Sequence, residues 1–137
     1  MATFDGNAKA KLEDNNRVSL PKIFYKAIDE KERNELLLTM EPDACILVYP
    51  RSQWDKRMDK LTDEDFEEDI EMLWKIRDLQ ENMKPVKIDK QGRFYIPTEL
   101  KEEAGIDREI TLVGMRTRIE IWSPAKLEEE RRNRQAK

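Results

Sequence analysis

The sequence contains no histidine, one cysteine (Cys45) and four glycines among its 137 residues. Because histidine is the usual general base and the commonest zinc ligand, its absence argues against Ser-His-Asp or Cys-His catalysis and against ordinary zinc sites. A single cysteine cannot form an intramolecular disulfide, which is typical of a reducing, intracellular compartment. No apolar run approaches the roughly 20 residues of a membrane span, and the first residues lack the apolar core of a signal peptide. We therefore expect no enzyme, no metal or other cofactor, no small-molecule substrate and no membrane partner.

Charge is abundant but unevenly distributed along the chain. Charged residues make up 41% of the sequence, and the formal net charge is −4. Residues 55–82, called the acidic segment below, contain 11 acids and 5 bases, whereas the rest of the chain carries 21 bases and 19 acids. Since phosphates respond to a local patch of charge rather than to the total, the net negative charge does not exclude nucleic-acid binding.

An internal repeat flanks the acidic segment. Residues 10–21 (AKLEDNNRVSLP) align with residues 86–97 (VKIDKQGRFYIP), so that Arg17 matches Arg93. Each copy continues into a short helical pattern and then two apolar strand patterns, which predicts strand, turn, strand, short helix, strand, turn, strand. We divide the chain into a first repeat (7–54), an acidic helical connection (55–82), a second repeat (83–126) and a charged tail (127–137). Units of about 45 residues rarely bury a core alone, so we expect the two halves to share one.

The acidic segment also carries a helical pattern. Residues 63–83 place apolar side chains in two neighbouring stripes, and Thr62 is a candidate N-cap. Two interpretations remain open: the helix covers the core of its own chain, or it also meets a neighbouring subunit. The tail from residue 127 is expected to be a fraying helix or disordered.

The repeated turn is the candidate site. Asn16 and Gly92, which precede the two arginines, are residue types that tolerate a backbone with positive φ. An arginine at such a strand-turn-strand can bind guanine in the major groove, while neighbouring lysines neutralise phosphates. The candidates from spacing are Arg17 and Arg93, with Lys11, Lys84, Lys87 and Lys90 nearby. The alternative is that each arginine pairs with the acid four residues earlier, Glu13 or Asp89, and only stabilises the turn.

The repeated motif carries a family resemblance. Asp89-Lys-Gln-Gly-Arg93-Phe-Tyr-Ile-Pro97 and the later Ile119-Glu-Ile-Trp122 resemble the MraZ proteins, bacterial relatives of the AbrB and SpoVT transition-state regulators. The first copy is looser, since Glu13 stands for the aspartate and Asn16 for the glycine. The resemblance implies contact motifs at residues 13–17 and 89–93. It adds Asn15, Asn16 and Gln91 to the DNA-binding candidates and assigns Glu13, Asp89 and Gly92 to support of the turns.

The resemblance also implies a fold and a function. The implied fold is mainly β with short helices (α+β): two swapped-hairpin AbrB-like repeats form one pseudo-twofold, β-barrel-like body with a central acidic helix. The implied function is sequence-specific binding of double-stranded DNA by a homo-oligomeric ring, at repeated sites upstream of the division and cell-wall gene cluster. Members act mainly as repressors of that cluster, including their own promoter, in the cytoplasm at the nucleoid.

Two other functions are compatible with the residues. An AbrB-type antitoxin or transition-state regulator would share the turn motif, but such proteins usually carry one copy of the fold per chain. A protein-interaction scaffold would use the acidic helix as its working surface. The scaffold is expected to ignore DNA at physiological salt, which separates it from a regulator.

Overall fold

The structure is a computed structural model that describes residues 3–41 and 44–136. Its strands are β1 (Asn7–Lys11), β2 (Arg17–Ser19), β3 (Leu36–Glu41), β4 (Cys45–Pro50), β5 (Lys84–Val86), β6 (Arg93–Tyr95), β7 (Glu109–Gly114) and β8 (Ile119–Trp122). Its α-helices are α1 (Lys22–Tyr25), α2 (Arg51–Leu61), α3 (Ile70–Glu81), α4 (Thr98–Glu103) and α5 (Pro124–Gln135). In the described part of the chain, no helix combines the length and the apolar character needed to cross a membrane.

The two halves exchange strands. Six strands form one antiparallel sheet in the order β1-β7-β8-β4-β3-β5, and β2 pairs with β6 in a separate two-stranded ribbon. Strand β1 of the first half pairs with β7 of the second, and β5 of the second half pairs with β3 of the first. The expected α+β fold with two hairpin-exchanging repeats is confirmed, and the six-stranded sheet stays open rather than closing into a barrel.

The six-stranded sheet separates two apolar clusters. Because side chains alternate along a strand, Leu36 and Leu38 of β3 join the cluster that contains Val18 and Phe94 of the β2–β6 ribbon. The residue between them, Leu37, joins the second cluster. That cluster also contains Cys45, Leu47, Tyr49, Trp54, Leu79 and Trp122. The ribbon therefore covers one face of the sheet, while α2 and α3 cover the other.

The prediction of one helix over residues 63–83 is wrong at its start. Helix α3 begins at Ile70, and its N-cap is Asp69, whose carboxylate accepts a hydrogen bond from the Met72 N–H at 3.1 Å. Thr62 instead follows the end of α2, where its hydroxyl donates to the Met58 carbonyl at 2.7 Å. Six acids fall among residues 63–69, and like charges three or four residues apart destabilise a helix. The acidic segment is consequently two helices joined by a short 3-10 turn.

The charged tail is helical over most of its length. Helix α5 begins after Ser123, whose hydroxyl oxygen accepts a hydrogen bond from the Lys126 N–H at 3.4 Å. Leu127 packs against the second apolar cluster, which places α5 on the same face of the sheet as α2 and α3. Of the two expectations for this tail, the helix is the one that the structure contains.

Candidate nucleic-acid interface

The β2–β6 ribbon brings the two arginines to one surface. Val18 lies opposite Phe94 in the register of the ribbon, and both side chains are completely buried. The residues on either side of them point outward, because alternate side chains of a strand face opposite sides. The four outward residues are Arg17, Ser19, Arg93 and Tyr95, and all four are exposed. Arg17 faces Tyr95 and Arg93 faces Ser19 across the ribbon, so the arginines are diagonal neighbours.

Each turn is closed by one backbone hydrogen bond of the same kind. In the first turn (residues 13–17), the Glu13 N–H donates to the Arg17 carbonyl at 2.7 Å. In the second turn (residues 89–93), the Asp89 N–H donates to the Arg93 carbonyl at 2.9 Å. The expected equivalence of the turns therefore holds for the backbone.

Backbone hydrogen bonds also connect each turn with the opposite half of the chain. The Leu20 N–H donates to the Gly92 carbonyl at 2.7 Å, and the Ile96 N–H donates to the Asn16 carbonyl at 2.9 Å. Asn16 and Gly92 have φ of 59° and 82°, which confirms the positive φ expected at both positions. A Cβ atom on Gly92 would lie 3.4 Å from the Leu20 carbonyl oxygen and 3.6 Å from Cδ2 of Tyr25. These are ordinary van der Waals distances, so the second turn uses glycine for its backbone conformation.

The side chain of Asp89 stabilises the second turn by hydrogen bonding to its backbone. Its Oδ1 accepts hydrogen bonds from the Gln91 N–H at 2.9 Å and from the Arg93 N–H at 3.0 Å. The pKa of this carboxyl is lowered, first by the hydrogen bond from the Arg93 N–H, then by that from Gln91 and by the charges of Arg93 and Arg17. The negative charge of Asp89 is therefore maintained beside both arginines.

Glu13 plays a different part in the first turn. Its Oε1 accepts a hydrogen bond from the Ser19 hydroxyl at 2.8 Å and lies 3.8 Å from Nε of Arg93. Among the residues described, no carboxylate lies within 4 Å of the Arg17 guanidinium. The predicted pairing with the acid four residues earlier is therefore wrong for the guanidinium groups: that of Arg93 meets Glu13 of the other turn. Asp89 does stabilise its turn, through the Arg93 backbone N–H. At this exposure the ion pair between Arg93 and Glu13 contributes at most about 1 kcal/mol, so the guanidinium remains available to a stronger anion.

The remaining predicted residues divide between the ribbon and the large sheet. Asn15, Lys90 and Gln91 are exposed on the two turns. Lys11 lies at the end of β1, where its Nζ is 3.8 Å from a Glu109 carboxylate oxygen. Lys84 and Lys87 lie in and just after β5, and Nζ of Lys84 is 3.4 Å from an oxygen of Glu99, while Lys87 is exposed. Asn15, Lys90 and Gln91 thus lie on the turns. The other three lysines lie in or next to strands β1 and β5 of the large sheet.

The side chain of Asn16 is engaged by the opposite half. Its Nδ2 donates to the Thr98 hydroxyl at 3.2 Å, and its Oδ1 accepts from Nζ of Lys101 at 3.4 Å. Both partners belong to α4. Asn16 therefore supports the docking of a helix as well as the geometry of its own turn.

Two residues of the outer face are absent from the sequence-based candidates. Ser19 and Tyr95 are exposed beside the arginines, with 42% of Tyr95 accessible to solvent. The alternation in Arg93-Phe-Tyr-Ile could have identified Tyr95 as outward-facing. Its position opposite Arg17 depends on the pairing of β2 with β6, which residue spacing does not contain.

The groups that could carry other chemistry are few in the described ranges. No cluster of three or more Cys, Asp or Glu side chains is positioned there to hold a metal ion. Cys45 is completely buried, and burial raises the pKa of its thiol far above the ordinary value. Cys45 is therefore a packing residue rather than a reactive thiol.

Comparison with known proteins identifies the family. A family model described as "MraZ protein, putative antitoxin-like" matches residues 3–75 and 81–135. A protein of Bordetella pertussis named "Transcriptional regulator MraZ" is 32% identical over 124 residues, covering 90% of this chain and 84% of that protein. Proteins of the same name from Acidovorax sp. (strain JS42) and Paraburkholderia phytofirmans are 30% and 29% identical over 125 and 122 residues, covering 91% and 87% of this chain and 85% and 81% of those proteins. The chain belongs to the MraZ family.

Proposed function

We propose that this protein is a sequence-specific DNA-binding transcriptional regulator that contacts DNA with the outer face of the β2–β6 ribbon and its two turns. The observation that carries the proposal is the exposure of Arg17 and Arg93 on one face, as diagonal neighbours from different halves. The relatives from Bordetella and Acidovorax are named transcriptional regulators, and such a role fits a surface that contacts DNA. As implied by the family resemblance, we infer that it acts mainly as a repressor of the division and cell-wall gene cluster, including its own promoter. Its place of action is then the nucleoid in the cytoplasm.

The shape of the ribbon suits the major groove. That groove is about 12 Å wide and admits a two-stranded ribbon, whose outward arginines can bind O6 and N7 of guanine bidentately. The exposed side chains of Asn15, Lys90 and Gln91 extend the surface at the two turns. Lys11 and Lys87 on the flanking sheet are placed to neutralise phosphates and set the register, without reading sequence themselves.

Assembly into a homo-oligomeric ring is part of the proposal. One chain offers two arginines to base edges, which by itself supports only weak, salt-sensitive binding. A ring that presents several ribbons to repeated sites raises the effective concentration of each contact, so affinity increases without new kinds of contact. In each subunit, the two turns and the ribbon between them then form one continuous contact surface.

The test is binding to the DNA upstream of the protein's own gene. Fluorescence anisotropy with a labelled duplex would compare the wild type with Arg17→Ala and Arg93→Ala, alongside measurement of solution mass by sedimentation. If each arginine contacts a base, we expect a loss of about 1–3 kcal/mol, or roughly 5- to 150-fold in Kd, together with relaxed sequence preference. A steep decrease of log K with log salt is expected in the wild type.

The control is an arginine on the other face of the sheet. Arg132 is exposed on α5, and Arg132→Ala removes the same charge away from the ribbon. If both ribbon variants stayed folded and bound the duplex as tightly as Arg132→Ala, the assignment of the ribbon as the DNA contact would be wrong. Absence of duplex binding by the wild type at physiological salt would favour the scaffold instead.

A further inference from the structure

A second concentration of positive charge lies on the helical side of the large sheet. A cavity of about 370 Å³ is formed by α2, the end of β4 and the connection between β7 and β8. Four of its lining residues are cations: Lys56, Arg57, Lys60 and Arg118. The other lining residues are polar and uncharged, and among residues 3–41 and 44–136 no carboxylate lines the cavity. We call it the cationic cavity.

These cations lie within a chain in which acids outnumber bases by 30 to 26. Among the residues described, no carboxylate oxygen comes within 4 Å of any of the four. By contrast, Arg51 of the same helix is 3.0 Å from Glu35 and 3.3 Å from Asp55. Lys56 and Lys60 stand four residues apart on α2, a spacing at which like charges repel. An anion bound between the two lysines would relieve this repulsion.

Neighbouring acids do not replace such an anion. Glu41, Glu71 and Asp78 border an adjoining cavity that shares Arg57, and Glu41 and Glu120 border another that shares Arg118. Asp63 and Asp65 border a third that shares Lys60, but in the described residues none of these carboxylates lies within 4 Å of the four cations. These carboxylates moderate the local potential from outside the cationic cavity.

Contacts within the wall hold the donors in place. The Arg57 guanidinium donates a hydrogen bond from Nη1 to the Tyr49 hydroxyl and lies 5.7 Å from the centre of the Tyr49 ring. Gln53, a polar side chain in the lining, is 4% exposed. Nε of Arg118 is buried and has no hydrogen-bond partner in the described residues. A buried donor without a partner is costly, and charge-assisted hydrogen bonds to phosphate oxygens are among the strongest a guanidinium forms.

We propose that the cationic cavity binds the phosphate group of a small anionic molecule. Arginine forks and lysine ammonium groups match phosphate oxygens, and the volume lies within the usual range of small-molecule pockets. Trp54, also on α2, belongs to the apolar cluster on the face of the sheet opposite the ribbon. The site is thus separate from the proposed DNA contact and does not depend on that proposal.

The test uses purified full-length protein and titration calorimetry with inorganic phosphate, pyrophosphate, ATP and uncharged adenosine. The variant Lys56→Gln/Lys60→Gln removes two exposed cations of the cavity. Its matched control is Lys22→Gln/Lys26→Gln, with the same charge change and four-residue spacing at exposed positions of another helical turn. Arg118→Gln tests the same cavity from the sheet side, and circular dichroism checks folding of each variant.

We expect saturable binding of a phosphate-bearing probe by the wild type and by the control, and no binding of adenosine. The cavity variants should lose roughly tenfold or more in affinity, as expected for removing charge-assisted hydrogen bonds. Equal affinity for pyrophosphate and ATP would identify a free phosphate as the ligand, and tighter binding of ATP would identify a nucleotide.

Three results would overturn the proposal. They are absence of saturable binding by the wild type, an equal loss in the Lys22/Lys26 control, and loss of duplex binding by the cavity variant with unchanged pyrophosphate binding. The last result would make the cavity a DNA contact. The two proposals can fail independently. Arg17→Ala should leave pyrophosphate binding unchanged, so a failure of the ribbon to bind DNA would not affect the test of the cavity.

Discussion

Gly92 is constrained by the left-handed conformation of its backbone. Its φ is 82°, a conformation that costs an L-residue roughly 1–2 kcal/mol, and an added Cβ would contact the Leu20 carbonyl and the Tyr25 ring. We predict that Gly92→Ala lowers the free energy of unfolding by about 1–3 kcal/mol and weakens DNA binding, because the ribbon is held by the Gly92 carbonyl. Urea denaturation and anisotropy would measure the two effects. Gly6→Ala is the control, since Gly6 has φ of 83° but lies outside the ribbon and its turns; an equal loss of DNA binding in both variants would show that the second turn has no special role in the contact.

The carboxylate of Asp89 makes stability depend on pH. Its pKa is below the ordinary value of 3.8 in the folded protein, chiefly because its charged form accepts the hydrogen bond from the Arg93 N–H. A depressed folded-state pKa means that the stabilisation is fully present above pH 3.8 and is lost as the pH falls through the lower, folded value. Asp89→Asn keeps an oxygen acceptor but removes the charge. We predict that the wild type melts at a higher temperature than Asp89→Asn at neutral pH and that this difference shrinks below about pH 4. A difference in Tm that stayed constant down to about pH 2.5 would contradict the role of the charge.

At the scale of elements, β7 closes against the segment that precedes β1. An added Cβ on Gly114 would lie 2.7 Å from the Phe4 carbonyl carbon and 2.8 Å from the Asp5 nitrogen, and both are backbone atoms. The segment is anchored by the buried Phe4 side chain and by reciprocal backbone hydrogen bonds between Phe4 and Arg116, each 2.8 Å long. We predict that Gly114→Ala costs about 1–3 kcal/mol by displacing this segment. Hydrogen exchange should show lost protection at the Phe4 and Arg116 amides, whereas protection unchanged from the wild type would contradict the prediction.

The two stripes predicted on the central helix end in different environments. Leu79 is buried, and its carbonyl accepts a hydrogen bond from the buried Thr39 hydroxyl at 2.8 Å, which fastens α3 to the sheet. Ile70 and Trp74 remain 69% and 57% exposed, and the Arg77 guanidinium lies 4.7 Å from the centre of the Trp74 ring. Coverage of the chain's own core is therefore confirmed for one stripe. The contact of the other with a neighbouring subunit stays a prediction.

At the scale of the whole molecule, the arginines of the ribbon and the acids of residues 63–69 lie on different faces. The arginines occupy the ribbon on one side of the six-stranded sheet, and the helices of the acidic segment cover the other. The six acids of residues 63–69 repel the phosphates of DNA from their part of the second face, where the cationic cavity is a local exception, and this favours approach of DNA through the ribbon. We predict that replacing Glu64, Glu67 and Glu68 by Gln raises affinity for unrelated duplex DNA several-fold and lowers the ratio of specific to non-specific binding.

Competition anisotropy with specific and scrambled duplexes would measure this ratio. The effect should disappear at high salt, because exposed charges are then screened within a few ångströms. An unchanged ratio at low salt would show that the acidic face does not orient DNA.

Local patterns are sufficient for much of this structure. Positive φ at Asn16 and Gly92, the strand alternation on both sides of each turn, and burial of Cys45 follow from residue types and nearest neighbours. The prediction of a helix over residues 63–83 is wrong at residues 63–69, where six of seven residues are acids. The apolar period on which it depends takes no account of repulsion between neighbouring charges.

The sequence by itself determined that this protein contains two copies of a repeat, each with a turn that ends in an arginine, and a separate acidic segment. Those features depend on spacing, φ preference and composition, which are local properties. Only the tertiary structure decided that Arg17 and Arg93 share one face with Tyr95, and that Arg93 meets Glu13 of the other turn. The physical reason is that β2 buries Val18 against Phe94 of a strand from the other half. The choice of such a distant partner is made by the shared core rather than by any single stretch of chain.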